Sequence, residues 1–319
     1  MYPSYLNLYK NGELKKRIRH AFRLLEACSL CPRHCRINRL KNKEGFCRTG
    51  SRARVYSYMP HFGEEPCISG ERGSGTIFFS GCNMRCIYCQ NYKFSQLNEG
   101  RRVNLVELAQ IMLELQHSGC HNINLVTPTH IMPQILGSLS LAIPKGLRIP
   151  LVYNTSGYEL PWVISLLDGI VDVFLADMRY ADNETSMRYS NSAEYPKYNQ
   201  AALKQMHKQV GIAEINKHGL IIKGLIVRHL VLPNNLAGTF EVMRFISREV
   251  SDQTYISLMS QYLPCHKADQ YPELSRRITI QEYKQAKEAM FGCGLSNGWL
   301  QESRGLARLA GTRIKPAPA

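Results

Sequence analysis

From Thr76 onward, apolar residues fall in short runs separated by stripes at helical spacing. The runs Thr76–Ser80, Asn122–Val126, Pro150–Asn154, Val171–Asp177, Leu220–Leu232 and Tyr255–Met259 have the length and β-branched content of strands buried on both faces. Between them, Leu105, Leu108, Met112 and Leu115 form one apolar helix face. Leu203, Met206, Val210 and Ala213 form another, and Thr239, Met243, Ile246 and Val250 a third. Weaker helices are expected after His130 and after Glu159, and Ile280 to Phe291 closes the series. Strand and helix in alternation predict a parallel sheet with right-handed crossovers. Six units are too few for a complete eight-fold barrel. The expected fold is therefore α/β, a partial (βα)6 TIM-like barrel over residues 71–300, with its chemistry at the C-terminal ends of the strands.

Residues 1–70 stand outside this pattern. They read as a small N-terminal module, rich in Cys and basic residues, with one short helix near Leu14 to Ala27 and too few apolar positions to fold without a metal. The tail, 301–319, is expected to be disordered at its end. A chain of 319 residues, 44% hydrophobic and 20% charged, has the composition of a globular protein. No apolar run approaches the roughly 18 residues that span a membrane. No apolar stretch follows the early lysines, so neither a membrane anchor nor a secretory signal is expected, and the protein reads as soluble and cytoplasmic. Its net charge of +15 is concentrated at the start, where residues 1–54 carry 14 Lys and Arg against three acids. Such a face suits an acidic partner, nucleic acid or protein, and equally a solvated surface that offsets several thiolates.

The compartment gives the 11 cysteines their meaning. Disulfides rarely persist in a reducing cytosol, so clustered cysteines there are metal ligands or catalytic groups. Cys82, Cys86 and Cys89 form a C-x3-C-x2-C loop directly after the first strand. Three thiolates can hold one face of an iron–sulfur cluster and leave an iron open for a substrate, whereas zinc would need a distant fourth ligand. Cys28, Cys31, Cys35 and Cys47 give C-x2-C-x3-C-x11-C, compatible with an all-thiolate zinc site or an auxiliary iron–sulfur cluster. Cys67, Cys120, Cys265 and Cys293 are scattered and read as small buried hydrophobes.

With Gly81 before the first cysteine and Tyr88 before the last, the loop resembles the signature of the radical S-adenosylmethionine (SAM) superfamily. The stretches 73–82, Asn154-Thr155-Ser156-Gly157-Tyr158 and 227–234 most resemble the glycyl-radical-enzyme activating enzymes, in particular a pyruvate formate-lyase activating-like branch. The resemblance implies a [4Fe–4S] cluster on Cys82, Cys86 and Cys89 whose open iron takes SAM. It also implies reductive cleavage of SAM to a 5′-deoxyadenosyl radical, which abstracts hydrogen from a protein substrate such as a glycyl radical enzyme. A low-potential donor of the flavodoxin or ferredoxin kind would supply the electron. By the same implication Tyr88 would lie near the adenine, and Thr127 and Thr129 near the methionyl group. Asn154 and Ser156 would face the ribose, and Arg228 the SAM carboxylate. Asp177 and Arg179 stand where activating enzymes show Asp-x-Lys, and no Gly-Gly-Glu segment follows the second strand. Two rival functions are radical modification of RNA or a small molecule, and a binding protein stapled by a structural metal.

Overall fold

The computed structural model describes residues 2–301 and 312–313. The expectation of a disordered end to the tail falls outside them. The strands are β1 (Ala53–His61), β2 (Ser74–Phe79), β3 (Arg101–Val103), β4 (Ile123–Val126), β5 (Leu151–Thr155), β6 (Val173–Asp177), β7 (Glu214–Ile215), β8 (Ile221–Leu230), β9 (Tyr255–Met259), β10 (Gly298–Leu300) and β11 (Thr312–Arg313). The helices are α1 (Tyr5–Lys10), α2 (Glu13–Arg23), α3 (Pro66–Ser69), α4 (Tyr92–Ser95), α5 (Leu105–His117), α6 (Met132–Ala142), α7 (Pro161–Ser165), α8 (Asn183–Ser190), α9 (Tyr195–Val210), α10 (Thr239–Phe245) and α11 (Ile280–Gly292).

Strands β2, β4, β5, β6, β8 and β9 lie side by side and all parallel, so the six expected units form the expected partial barrel. β10 adds a further parallel strand beside β9. At the other edge β1 runs antiparallel to β2, with β3 beyond it. β3 and β11 end the path without pairing to one another, so among the described residues the barrel stays open. The runs Ile123–Val126 and Leu151–Thr155 are buried at every position, as a strand covered on both faces requires. Helix α5 starts from a capping box in which Asn104 and Glu107 satisfy each other's backbone N–H groups, and α11 repeats it with Thr279 and Glu282. The third stripe forms α10, whose last turn widens over Ile246–Val250.

The N-terminal stretch is joined to this frame. β1 is part of the sheet, and Tyr5, Leu6, Leu14, Ala21 and Leu25 belong to the main core with α5 and α6. These few apolar positions, spaced along α1 and α2, suffice to dock both helices. A second apolar cluster fills the inside of the barrel. There α3 brings Cys67 and Ile68 against Val152, Leu175, Ile226 and Trp299. His61 of β1 pairs with Ser74, and the Asn122 amide donates to the Ile68 carbonyl. The segment 62–70 therefore closes the end of the barrel where β2 and β4 begin, and the opposite end is left for a site.

Candidate active site

At that opposite end, the chain leaves β2 through Ser80 and Gly81. Gly81 has φ +87°, and a Cβ there would lie 2.5 Å from the Cys47 carbonyl oxygen, so glycine is required for the turn. Cys82, Cys86 and Cys89 follow, and all three line one cavity of about 380 Å³. The loop is held from outside: the amides of Arg85 and Ile87 donate to the carbonyls of Ser190 and Tyr189, at 2.9 Å each. Its sulfurs are hydrogen-bonded. The Met84 amide lies 3.3 Å from Cys82 Sγ, Ser190 Oγ donates to Cys86 Sγ at 2.9 Å, and Ser95 Oγ is 3.2 Å from Cys89 Sγ. Burial pushes the Cys82 thiol up to about 12 and the Cys89 thiol up to about 11, so without a cation both hold their protons. Among the described residues no three His, Cys, Asp or Glu side chains form a ready metal-ligand set, either here or at the four N-terminal cysteines.

Thr127, Asn154, Ser156, Asp177, Arg179 and Arg228 come to the same cavity from the ends of four strands. Thr127 has φ +60°, a strained conformation for a β-branched residue, and its amide N–H donates to the Asn154 carbonyl at 2.9 Å. Asp177 and Arg179 form an ion pair. Ser156 Oγ and Arg179 Nε are both buried and have no partner among the described residues. Tyr88 also lines the cavity, but its ring is 3% exposed and packs beneath the loop. Its hydroxyl meets that of Tyr180 at 2.5 Å, and Tyr262 packs edge-on at 5.7 Å.

Two of the expected positions have partners within the chain. Arg228 lines the cavity but is already engaged by carboxylates. Its Nε and Nη2 donate to Glu65 at 2.7 and 2.6 Å, and Nη2 also reaches Glu64. Thr129 does not line the cavity; its hydroxyl donates to the buried Glu159 Oε1 at 2.6 Å, and Thr155 Oγ1 does the same at 2.5 Å. Glu64 and Glu65 are cavity residues that the sequence reading passed over, because they sit in the loop assigned to the N-terminal module. Glu159 was missed as well. Burial raises its carboxyl to about 7 despite the hydroxyls that bond it. A pair of glutamates before Pro66 was the available signal for the first, and nothing local marks the second.

The four N-terminal cysteines converge on a separate small pocket with Asn83 of the cysteine loop. Burial pushes the thiols of Cys31 and Cys47 above the usual thiol range. Of the scattered cysteines, Cys67 and Cys120 are buried as expected, whereas Cys265 and Cys293 are partly exposed, and Cys265 Sγ contacts the Tyr88 carbonyl at 3.2 Å. Part of the N-terminal basic charge has an internal use. Arg17 and Arg54 bond the carbonyls of Leu166 and Asn98, and Arg33 bonds that of Asn83.

An open parallel barrel with a three-cysteine loop at the C-terminal end of its first parallel strand defines a class of iron–sulfur enzyme. The radical SAM superfamily model matches residues 76–227. The uncharacterised protein MJ0674 of Methanocaldococcus jannaschii is 32% identical over 295 residues, covering 89% of this chain and 80% of that protein. The chain belongs to the radical SAM superfamily. Membership brings a [4Fe–4S] cluster, SAM and reductive radical chemistry with it. Among solved structures, TYW1 with a lysine-pyruvate adduct bound superposes with TM-score 0.46 at 12% identity, over 72% of this chain and 76% of that one. Methylornithine synthase gives 0.43 at 15% identity, over 66% and 59%. No helix among the described residues is long and apolar enough to cross a membrane.

Proposed function

We propose that this chain cleaves SAM reductively at a cluster held by Cys82, Cys86 and Cys89, and removes hydrogen from a protein substrate in the manner of an activating enzyme. The observation that carries the SAM site is the pair of unpartnered buried groups, Ser156 Oγ and Arg179 Nε, in the cavity that the three thiols line. A buried donor or hydroxyl left without a partner costs about 1–3 kcal/mol, which a polar ligand removes. A cluster and SAM bound there supply carbon–sulfur cleavage and a carbon-centred radical for hydrogen abstraction.

The chain's own share is binding, orientation and exclusion of water. Cys82, Cys86 and Cys89 hold the cluster, and Ser190 and Ser95 polarise two of their sulfurs. Thr127, Asn154 and Ser156 meet SAM from the strand ends, and Asp177 fixes the guanidinium of Arg179. Arg228, paired with Glu65 and Glu64, lines the same cavity. The open edge of the sheet supports a protein substrate, since a loop of a second chain can enter where the barrel does not close. A flavodoxin- or ferredoxin-type donor supplies the electron in this reading.

Anaerobic reconstitution with dithionite and SAM is expected to release 5′-deoxyadenosine, and a Cys86→Ala variant is expected to release none. Absence of product above that control would refute the enzymatic reading. The substrate class is tested by incubating the enzyme with a deuterated cell extract split into protein, RNA and small-molecule fractions. Deuterium should appear in 5′-deoxyadenosine with the protein fraction, and its transfer from either other fraction alone overturns that class.

A further inference from the structure

We propose that Cys28, Cys31, Cys35 and Cys47 hold one zinc ion in a buttress behind the Cys82 loop. These four side chains surround a pocket that shares no lining residue with the large cavity. Its free space is about 10 Å³, against about 380 Å³ for the other. A space of that size is that of a single ion or water. The spacing, with two, three and eleven residues between successive cysteines, begins with the short knuckle typical of structural zinc.

The charges around the pocket point independently to a bound dication on thiolates. Arg39 is 1% exposed, yet its guanidinium meets no carboxylate among the described residues. It donates to the Gly50 and His130 carbonyls, and Nη1 lies 3.9 Å from Cys28 Sγ. Arg33, also lining the pocket, lies 3.6 Å over the Phe46 ring and makes no ion pair among the described residues. A buried guanidinium without a counter-charge is strongly destabilising. Four thiolates on Zn²⁺ carry a net charge of −2, which the buried Arg39 and the half-buried Arg33 help to balance, whereas four neutral thiols would leave Arg39 without a counter-charge.

A third observation concerns His130. It is 1% exposed, and its Nε2 lies 2.8 Å from the Ser80 carbonyl, so Nε2 carries the proton. Nδ1 is then a lone-pair nitrogen, buried without a partner in a residue that lines the pocket. Gly45 leaves the room the ligands need, since a Cβ there would sit 2.9 Å from Cys35 Sγ.

The site touches the catalytic loop directly. Arg33 Nε donates to the Asn83 carbonyl at 2.9 Å, and Gly81 packs on the Cys47 carbonyl. Zinc has no redox chemistry, so its part is to fix the backbone that carries Cys82 and to fold the stretch 28–47.

The test is metal analysis of the full-length chain, purified without chelator and reconstituted anaerobically with iron and sulfide. One zinc per chain is expected beside the iron. X-ray absorption at the zinc edge is expected to show three or four sulfur ligands at about 2.3 Å. A Cys31→Ser variant should lose the zinc and keep its iron. Should that variant fail to fold, the Cys82/Cys86/Cys89→Ala variant replaces it and should retain one zinc with no iron. Zinc-free protein, iron in the triple variant, or a zinc shell dominated by oxygen overturns the proposal. Each of these readouts is independent of SAM cleavage.

Discussion

Arg228→Met is the most informative single substitution in the cavity. Methionine keeps much of the side-chain volume and removes the guanidinium. Glu65, 2% exposed, then loses hydrogen bonds of 2.7 and 2.6 Å, and Glu64, 5% exposed, keeps its Asn124 bond at 2.9 Å but loses the arginine. Breaking a buried ion pair by removing one partner costs about 3–5 kcal/mol, and here two carboxylates are stranded together, so about 4 kcal/mol is expected at pH 7.5. In a chain of this size that lowers the melting temperature by about 6 °C.

The loss should depend on pH, and its sign follows from linkage. In the native protein burial pushes Glu65 up, but the charge and hydrogen bonds of Arg228 outweigh it and hold the carboxyl below its usual range. The pair's stabilisation is present above the unfolded carboxyl pKa, about 4.3, and is lost as pH falls below it. In the variant, burial is no longer offset by Arg228 and raises the Glu65 carboxyl above that value, so the penalty grows as pH rises from about 4.5. Urea denaturation of both proteins should show a difference that shrinks toward pH 4.5. Adding Glu64→Gln and Glu65→Gln to the variant should restore most of the stability. A difference below about 1 kcal/mol at pH 7.5, or one constant with pH, would refute the account of Arg228 as an internal counter-charge.

Two further outcomes follow from buried groups near the strands. Glu159 ionises near 7 when folded and near 4.5 otherwise, so its contribution is full below pH 4.5 and falls by about 3 kcal/mol as pH rises past 7; Glu159→Gln should remove that fall in pH-dependent denaturation, and an unchanged slope contradicts the assignment. Gly81→Ala should cost about 2–4 kcal/mol from the left-handed φ and the backbone contact with Cys47. It should also lower bound iron after reconstitution, whereas full iron loading at native stability would show that the two cysteine segments are not tightly packed.

The sequence determined the features that depend on neighbours along the chain. Strands buried on both faces, such as Ile123–Val126, must be apolar throughout, and a capped helix such as α5 carries its stop and start signals locally. Three cysteines in one loop constrain each other whatever the rest of the fold does, so the Cys82–Cys89 site was legible from spacing. Arg228 was not, because the glutamates that claim it lie 163 and 164 residues earlier, and only the closure of the barrel end brings them together. The same holds for the N-terminal stretch. Its few apolar residues look insufficient in isolation, yet α6 and the sheet offer them a core to share. Burial was the tertiary decision throughout: it set which charges needed partners, left Ser156 Oγ and Arg179 Nε without one among the described residues, and placed Arg39 against the sulfur of Cys28.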